Sequence, residues 1–480
     1  MTRQPHILPA ASRREFLSRA GFGFGALAFG SMLGLDGILA RASNLKIDPL
    51  NPLSPRPPHF PTRAKSVIWL FMEGGPSHLD LFDPKPALAK LAGQPMPESF
   101  GKVITAMGTA SNSLMPTKRS FKQHGQSGIW VSDWLPNIAQ HVDDITVIRS
   151  CWADGLNHVG SVCQMNTGDI LAGRPSLGAW TTYGLGSAND NLPTFVVMAD
   201  GADPVGGPKN WSAGFLPATF EGTQFRTEGA PIFHLQPPRT VGEQQQRSKL
   251  DLLAGLNRHF SADKPEDTEL AARLNSYELA YRMQAAAPEA VDLSRETELT
   301  RKLYGMDEAP TRKFGTLCLL SRRLVERGVR FVQLYCGSNS GWDAHVDLEE
   351  NHSKHCRASD KPIAGLLADL KARGLLEDTL VVWGGEFGRT PFNEKDRGRD
   401  HNPWGFTIWM AGGGVRRGTV YGATDDIGLR AVEGRAHVHD IHATILRLLG
   451  MEHEKLTFLH NGRDERATVN GGEVISKIIA

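Results

Sequence analysis

Six short runs of apolar and β-branched residues punctuate the chain. They are Lys65 to Met72, Asp144 to Ser150, Leu192 to Ala199, Val329 to Tyr335, Thr379 to Trp383 and Phe406 to Ala411. None alternates cleanly between apolar and polar positions, so each predicts a strand covered on both faces. Between them the spacing changes. Leu250, Leu252, Leu253 and Leu256, then Leu270, Leu274, Leu279 and Met283, recur as on a helix. They predict a helical segment over about 240–328, with no catalytic constellation in it. Shorter helices are predicted from Ala87, from His158 to Asn166, from about Ser359 to Arg373, and over His437 to Leu449, the last closed by Gly450. Strands alternating with helices predict a parallel sheet with helices on both faces. Gly201 to Pro237 is rich in glycine, proline and aromatics and reads as a long loop, a candidate pocket wall. Its Asn210, Trp211, Phe215 and Phe220 fit ordinary packing as well as substrate contact.

The ends of the chain read differently. Ser12-Arg13-Arg14-Glu15-Phe16-Leu17 is a twin-arginine motif, and a Gly/Ala-rich apolar stretch and the cleavage pattern Ala40-Arg41-Ala42 follow it. Residues 1–42 are therefore expected to be an export signal. Delivery by the twin-arginine machinery would leave the mature chain periplasmic or extracellular. Pro49 to Pro61 can form neither a helix nor a central strand, which makes 43–62 a linker. The expected globular body is 63–460 and carries the helical insertion. Residues 461–480 read as a polar C-terminal tail without a motif. No other stretch is long and apolar enough to cross a bilayer.

Composition narrows the function little. The 480 residues carry a formal charge of +1 and no long basic run, which argues against a nucleic-acid partner. The five cysteines are scattered with no CxxC, which removes zinc ribbons and thioredoxin chemistry. One disulfide remains open for an exported chain.

The chemistry collects where the strands end. Glu73-Gly74-Gly75 closes the first strand, with His78 and Asp80 beyond it; His158 and Ser161 follow the second. Asp343 and His345 follow the Val329 strand, and Glu386 and Arg389 follow the Thr379 strand. Asp400 and His401 precede Phe406. Ligands of open α/β sheets sit outside the carboxyl ends of the strands, so these groups are candidates for one pocket. The plain alternative pairs Glu386 with Arg389 and leaves Asp400 and His401 as loop residues. Mixed carboxylate and imidazole donors suit zinc or manganese, and carboxylate-rich ones suit magnesium or calcium. In Asp343-Ala344-His345 both polar side chains share a face if the segment is extended. His437, His439 and His442 lie on a helix that packs on the core and read as structural.

These pieces resemble a family. Asp378 to Gly388 resembles the sulfatase strand that ends in Ser-Asp-His-Gly, and Asp440 to Leu446 resembles a segment near the end of the sulfatase core. Thr167-Gly168 with Gly173-Arg174-Pro175 resembles the segment downstream of the sulfatase nucleophile. The chain as a whole resembles the twin-arginine-exported, sulfatase-like proteins called domain of unknown function 1501, in the alkaline phosphatase and sulfatase superfamily. Met72 to His78, Gly341 to His345, Gly385 to Pro391 and Asp400 to Pro403 carry that match. The resemblance implies a three-layer α/β/α alkaline-phosphatase-like fold with a mixed, mostly parallel sheet. It also implies a divalent metal (Zn, Mn, Ca or Mg) and an anionic ester substrate, such as a sulfated polysaccharide.

On this reading Asp343, His345 and His401 hold one metal, while Glu73 and Glu386, with Asp400, hold a second or share the first. His158 stands at the nucleophile position and Ser161 is the fallback. Arg389 would clamp the anion. The departures are Glu73-Gly74-Gly75 in place of consecutive aspartates and Phe387 in place of a histidine, with no Cys-x-Pro-x-Arg. A formylglycine mechanism is therefore not expected. A relative that binds an anionic polysaccharide or a partner protein without hydrolysis is the alternative.

Overall fold

The computed structural model describes residues 47, 51–226, 242–262, 268–337, 339–395 and 397–480. The twin-arginine segment and its cleavage pattern lie outside the described residues. The body is built on one nine-stranded sheet. In chain order its strands are β1 (Ser66–Met72), β2 (Ile145–Trp152), β3 (Phe195–Ala199), β4 (Thr223–Gln224) and β5 (Phe331–Cys336). Then come β6 (Thr379–Gly384), β7 (Phe406–Ala411), β8 (Thr419–Tyr421) and β9 (Ala436–His437). Across the sheet the order is β8-β2-β7-β6-β1-β5-β3-β4, with β9 also on β2. Strand β1 runs parallel to both β5 and β6. Strand β7 alone runs against its neighbours β2 and β6.

That single reversal positions the site. The residues after β1, β2, β5 and β6 and the residues before β7 all emerge at one edge. His401, before an antiparallel strand, is thereby brought beside groups that follow parallel ones.

Side chains of β1 alternate between two cores. Ile68, Leu70 and Met72 join one cluster with Val332, Leu334, Val381 and Trp383. Helices α4 (Thr268–Val291), α5 (Ala309–Glu326) and α6 (Leu348–Ala372) cover it, through residues such as Ala287, Leu317 and Leu366. Val67, Trp69 and Phe71 face the other way, against α2 (Leu177–Leu185) and α7 (Val438–Leu448), through Trp180 and Ile445. The result is three layers, helix on sheet on helix, with a mixed and mostly parallel sheet as expected.

Boundaries differ in informative places. Helix α6 begins at Leu348, well before Ser359, because its buried face carries His352, Cys356 and Asp360 rather than aliphatic residues. The helical segment resolves into α3 (Glu243–Ala262), α4, a short turn of helix at Glu298–Leu303, and α5. Helix α1 (His158–Thr167) is capped by the Asn157 side chain and stopped by Gly168 at φ 83°. Linker residues 51–62 form no helix or strand, yet Arg56 holds them to the Tyr183 carbonyl at 2.7 Å. Residues 461–480 are part of the body: Arg463–Arg466 pairs with Thr457–His460, and Ile475 and Ile478 are buried. All five cysteines are free and buried. Among the described residues no helix is long and apolar enough to cross a membrane.

Candidate metal centre

Two glycine-bearing turns interlock to make the floor of the site. Gly74 has φ 112°, and a Cβ there would meet the Asp343 nitrogen at 2.5 Å and the Trp342 nitrogen at 2.6 Å. Only glycine lets the turn after β1 approach the 340–343 loop this closely. The Gly74 N–H then donates to both oxygens of Glu386, at 3.0 and 3.1 Å. Arg389 donates from Nε to the Gly75 carbonyl at 2.9 Å and from Nη2 to the Gly74 carbonyl. Residues Gly388–Arg389 also form a short antiparallel ladder with His401–Asn402, which fixes His401 against the turn after β6.

Into this frame the loops deliver three histidines and one aspartate. His158 (at the start of α1), Asp343, His345 and His401 each offer a donor atom, all within 4.8 Å of one another. The orientation of each imidazole is set from behind. His158 Nδ1 lies 2.7 Å from Glu386, His345 Nδ1 lies 2.6 Å from Glu394, and His401 Nδ1 lies 2.9 Å from the Leu156 carbonyl. Carboxylate and carbonyl oxygens only accept, so each Nδ1 carries the proton and each Nε2 points inward.

Those Nε2 atoms surround Asp343. They lie at 3.2 Å (His158), 3.1 Å (His345) and 3.4 Å (His401) from its carboxylate oxygens. The His345 and His401 Nε2 atoms are themselves 3.0 Å apart. Two neutral imidazoles with Nδ1 protonated would set two lone pairs against each other there. Only a cation or a shared proton resolves that contact. His158 Nε2 and Asp343 Oδ1 are buried without a hydrogen-bond partner. Arg389 Nη2 is 2.7 Å from Asp343 Oδ1, a charge contact without hydrogen-bond geometry. These features fit a divalent metal: three borderline-soft nitrogens, one carboxylate and oxygen partners behind the rings.

In the metal-free state the cluster stores protons instead. Burial pulls the His158 imidazole down, but the hydrogen bonds and charges of Asp343 and Glu386 outweigh it and hold it up at about 9. His345 is raised likewise by Asp343 and Glu394 against the pull of burial. Burial also opposes ionisation of Asp343, yet the three histidines and Arg389 keep its carboxyl well below the usual range. His401 is lowered, first by burial.

Other expected site residues have other posts. Glu386 is wholly buried and orients His158; it does not pair with Arg389 and is not in the ligand set. Glu73 is buried, accepts the Val205 N–H at 2.7 Å, and is lifted to about 7, first by burial. Among the described residues these two join no second group of metal donors. The second metal expected at Glu73 and Glu386 is thus replaced by a supporting layer under one site. Asp400 accepts from Met107 N, Thr109 Oγ1 and His401 N, so it ties two loops together. It also comes within donor range of His345 and Glu394.

Arg389 is 0% exposed with its donors committed to the Gly74, Gly75 and Arg399 carbonyls and to Asp343, so it positions the floor and cannot clamp an incoming anion. Ser161 is 1% exposed and faces Gly155, away from the ligand set, which removes it as a nucleophile. His158 faces the Asp343 carboxylate as a fourth ligand, not a free nucleophile. Phe387 stacks on His401 with centroids 4.5 Å apart and walls one side.

Glu394 and the Leu156 carbonyl were not legible beforehand. The first sits in a charged loop with no motif, and a carbonyl has no sequence signal at all. His439 and His442 bond the Gly168 and Met165 carbonyls, and His437 caps α7, so all three are structural.

No curated protein matches the chain. Among solved structures it is similar to an alkaline phosphatase from the Antarctic bacterium TAB5, at 10% identity and TM-score 0.33, over 81% of this chain and 99% of that one. It is also similar to a sulfatase from Pseudoalteromonas sp., at 13% identity and TM-score 0.34, over 81% and 68%. A phosphonate monoester hydrolase from Silicibacter pomeroyi follows, at 11% identity and TM-score 0.32, over 68% and 70%. These scores are too low for the neighbours' chemistry to bear on the site. The match over residues 64–479 is of another order: the chain belongs to the family described as "Protein of unknown function (DUF1501)".

Proposed function

We propose that the protein is an exported, metal-dependent hydrolase of sulfate or phosphate esters, with one metal held by His158, Asp343, His345 and His401. The observation that carries this reading is the inward turn of three Nε2 atoms on one carboxylate, each ring fixed through Nδ1. A bound divalent cation would supply Lewis-acid polarisation of an ester oxygen and acidification of water. The chain's own part is orientation. Glu386 and Glu394 hold the Nδ1 protons, Arg389 keeps Asp343 ionised, and Phe387 excludes water from one side. Glu73, at about 7, keeps a proton in store near neutral pH. No side-chain nucleophile joins the ligand set, so water is the attacking group in this reading.

Export belongs to the same proposal and rests on Ser12 to Leu17. Replacing Arg13 and Arg14 with lysine should hold the precursor in the cytoplasm on fractionation.

One observation favours a second reading. Four protein donors close a tetrahedral set, as structural sites do, whereas catalytic ones keep a position open. A binding protein that uses the metal for shape would look the same. Elemental analysis of protein purified without added metal, followed by aryl sulfates and aryl phosphates as substrates, separates the two. Stoichiometric metal with turnover supports the hydrolase. Metal without turnover on either ester class supports the binding protein, and no metal under any reconstitution sinks both.

A further inference from the structure

The mouth of the centre is edged with apolar side chains that the fold leaves in water. Val159, next to His158, is 58% exposed, and Val346, next to His345, is 44% exposed. Met107, whose N–H holds Asp400 at 2.9 Å, is 55% exposed. Ile104, whose carbonyl takes the Trp404 indole N–H, is 73% exposed. Ile170 and Leu171, at 44% and 70%, belong to the loop after α1, and Ile170 lies against Gly160 two positions past His158. Each is thus chained to a ligand or to a group that holds one.

Single exposed apolar residues need no explanation, but a set that follows one site does. The ligand side chains beneath remain open to solvent, with Asp343 at 25% and His345 at 17%. The cation closest to them, Arg389, is buried and spent. A polyhydroxylated, multiply charged chain would want hydrogen-bonding groups and free cations at this mouth. An amphiphile would want what is there: one anion-binding centre and a water-exposed apolar collar.

We infer that the ester taken by this centre is amphiphilic, a sulfate or phosphate monoester of a long alkyl or extended aryl alcohol, its apolar part lying on the collar. This rests on the hydrolase reading only in supposing that the metal receives an anion.

The test uses alkyl sulfonates and alkyl phosphonates of two to ten carbons, which bind but cannot be cleaved as esters. Their affinity for the metal-loaded protein is measured by calorimetry, beside turnover of the matching alkyl esters. Full burial of a methylene is worth about fourfold in affinity. A rise of about twofold to fourfold per methylene is expected, flattened in Val159→Asn/Leu171→Asn protein that retains its metal. Chain-length-dependent binding without turnover of any ester would keep the inference and remove the hydrolase. Affinity independent of chain length, or a slope that the double variant leaves intact, would overturn the inference. Turnover that persists in that case would leave the hydrolase standing.

Discussion

At the scale of the residue, the candidate centre divides into groups that touch a metal and groups that aim them. His345→Ala or His401→Ala removes a donor, and both variants should lose stoichiometric metal in elemental analysis. Glu394→Gln keeps the volume but gives His345 Nδ1 a neutral acceptor. Loss of such a partner typically costs about 10- to 100-fold in metal affinity, so this variant should bind weakly rather than not at all. Competition against a chelating dye separates the two classes. If Glu394→Gln bound as tightly as the parent, the aiming role would be refuted. The division also explains what the sequence could show. Asp343, His345 and His401 are legible because an acid and an imidazole stand next to each other, or nearly so, at strand ends. Glu386 is legible as a site residue but not as a support, because its post depends on Gly74 lying above it, and that contact joins residues 312 apart. Glu394 has no local signature of any kind.

At the scale of the element, the strands were legible because six buried runs have no solvent face. Their direction was not, since an antiparallel β7 and a parallel one have the same composition. Helix α6 was only half legible, because polar His352 and Asp360 occupy its buried face; the Asp360 carboxylate accepts from Asn137 N and Ile138 N at 2.9 and 2.8 Å. The glycine pair after β1 has the clearest consequence. Gly74→Ala puts a Cβ into the backbone of the 340–343 loop at a φ that alanine avoids. It should destabilise the fold by more than about 1 kcal/mol. Because that loop carries Asp343, metal affinity should fall as well, and by more than in a surface variant of equal stability. Denaturant unfolding of metal-free protein, beside metal titration, reads both. An unchanged midpoint would mean that the two turns are not locked together.

At the scale of the whole molecule, stability should depend on pH through histidines far from the centre. Burial holds His78 down to about 4, His352 to about 3 and His442 to about 3. His352 shows why: its Nε2 accepts the Ser77 N–H at 2.9 Å, a bond that a protonated ring cannot make. For each, the folded value lies below the unfolded value near 6.5, so the unfolded chain binds the proton first as pH falls. Their contribution is complete above about pH 6.5 and is lost progressively as pH drops toward the folded values. Each changes stability by up to about 1.4 kcal/mol per pH unit in that window. Glu73 works the other way: raised to about 7, it stays protonated in the folded state after the unfolded carboxyl has ionised, which offsets about one histidine. His158, raised to about 9, is protonated in both states below pH 6 and has no effect there. Six further histidines, at 59, 141, 355, 401, 439 and 453, are lowered, all with burial first among the causes. The sum favours histidine, so metal-free protein should unfold at steadily lower urea as pH falls from 6.5 to 5, before most carboxylates titrate. His442→Gln removes one titrating ring and should make that decline shallower by about 1 kcal/mol per pH unit. A flat urea midpoint over this range would show that these rings protonate without unfolding. Divalent metal should steepen the loss, because protons compete for the same Nε2 atoms.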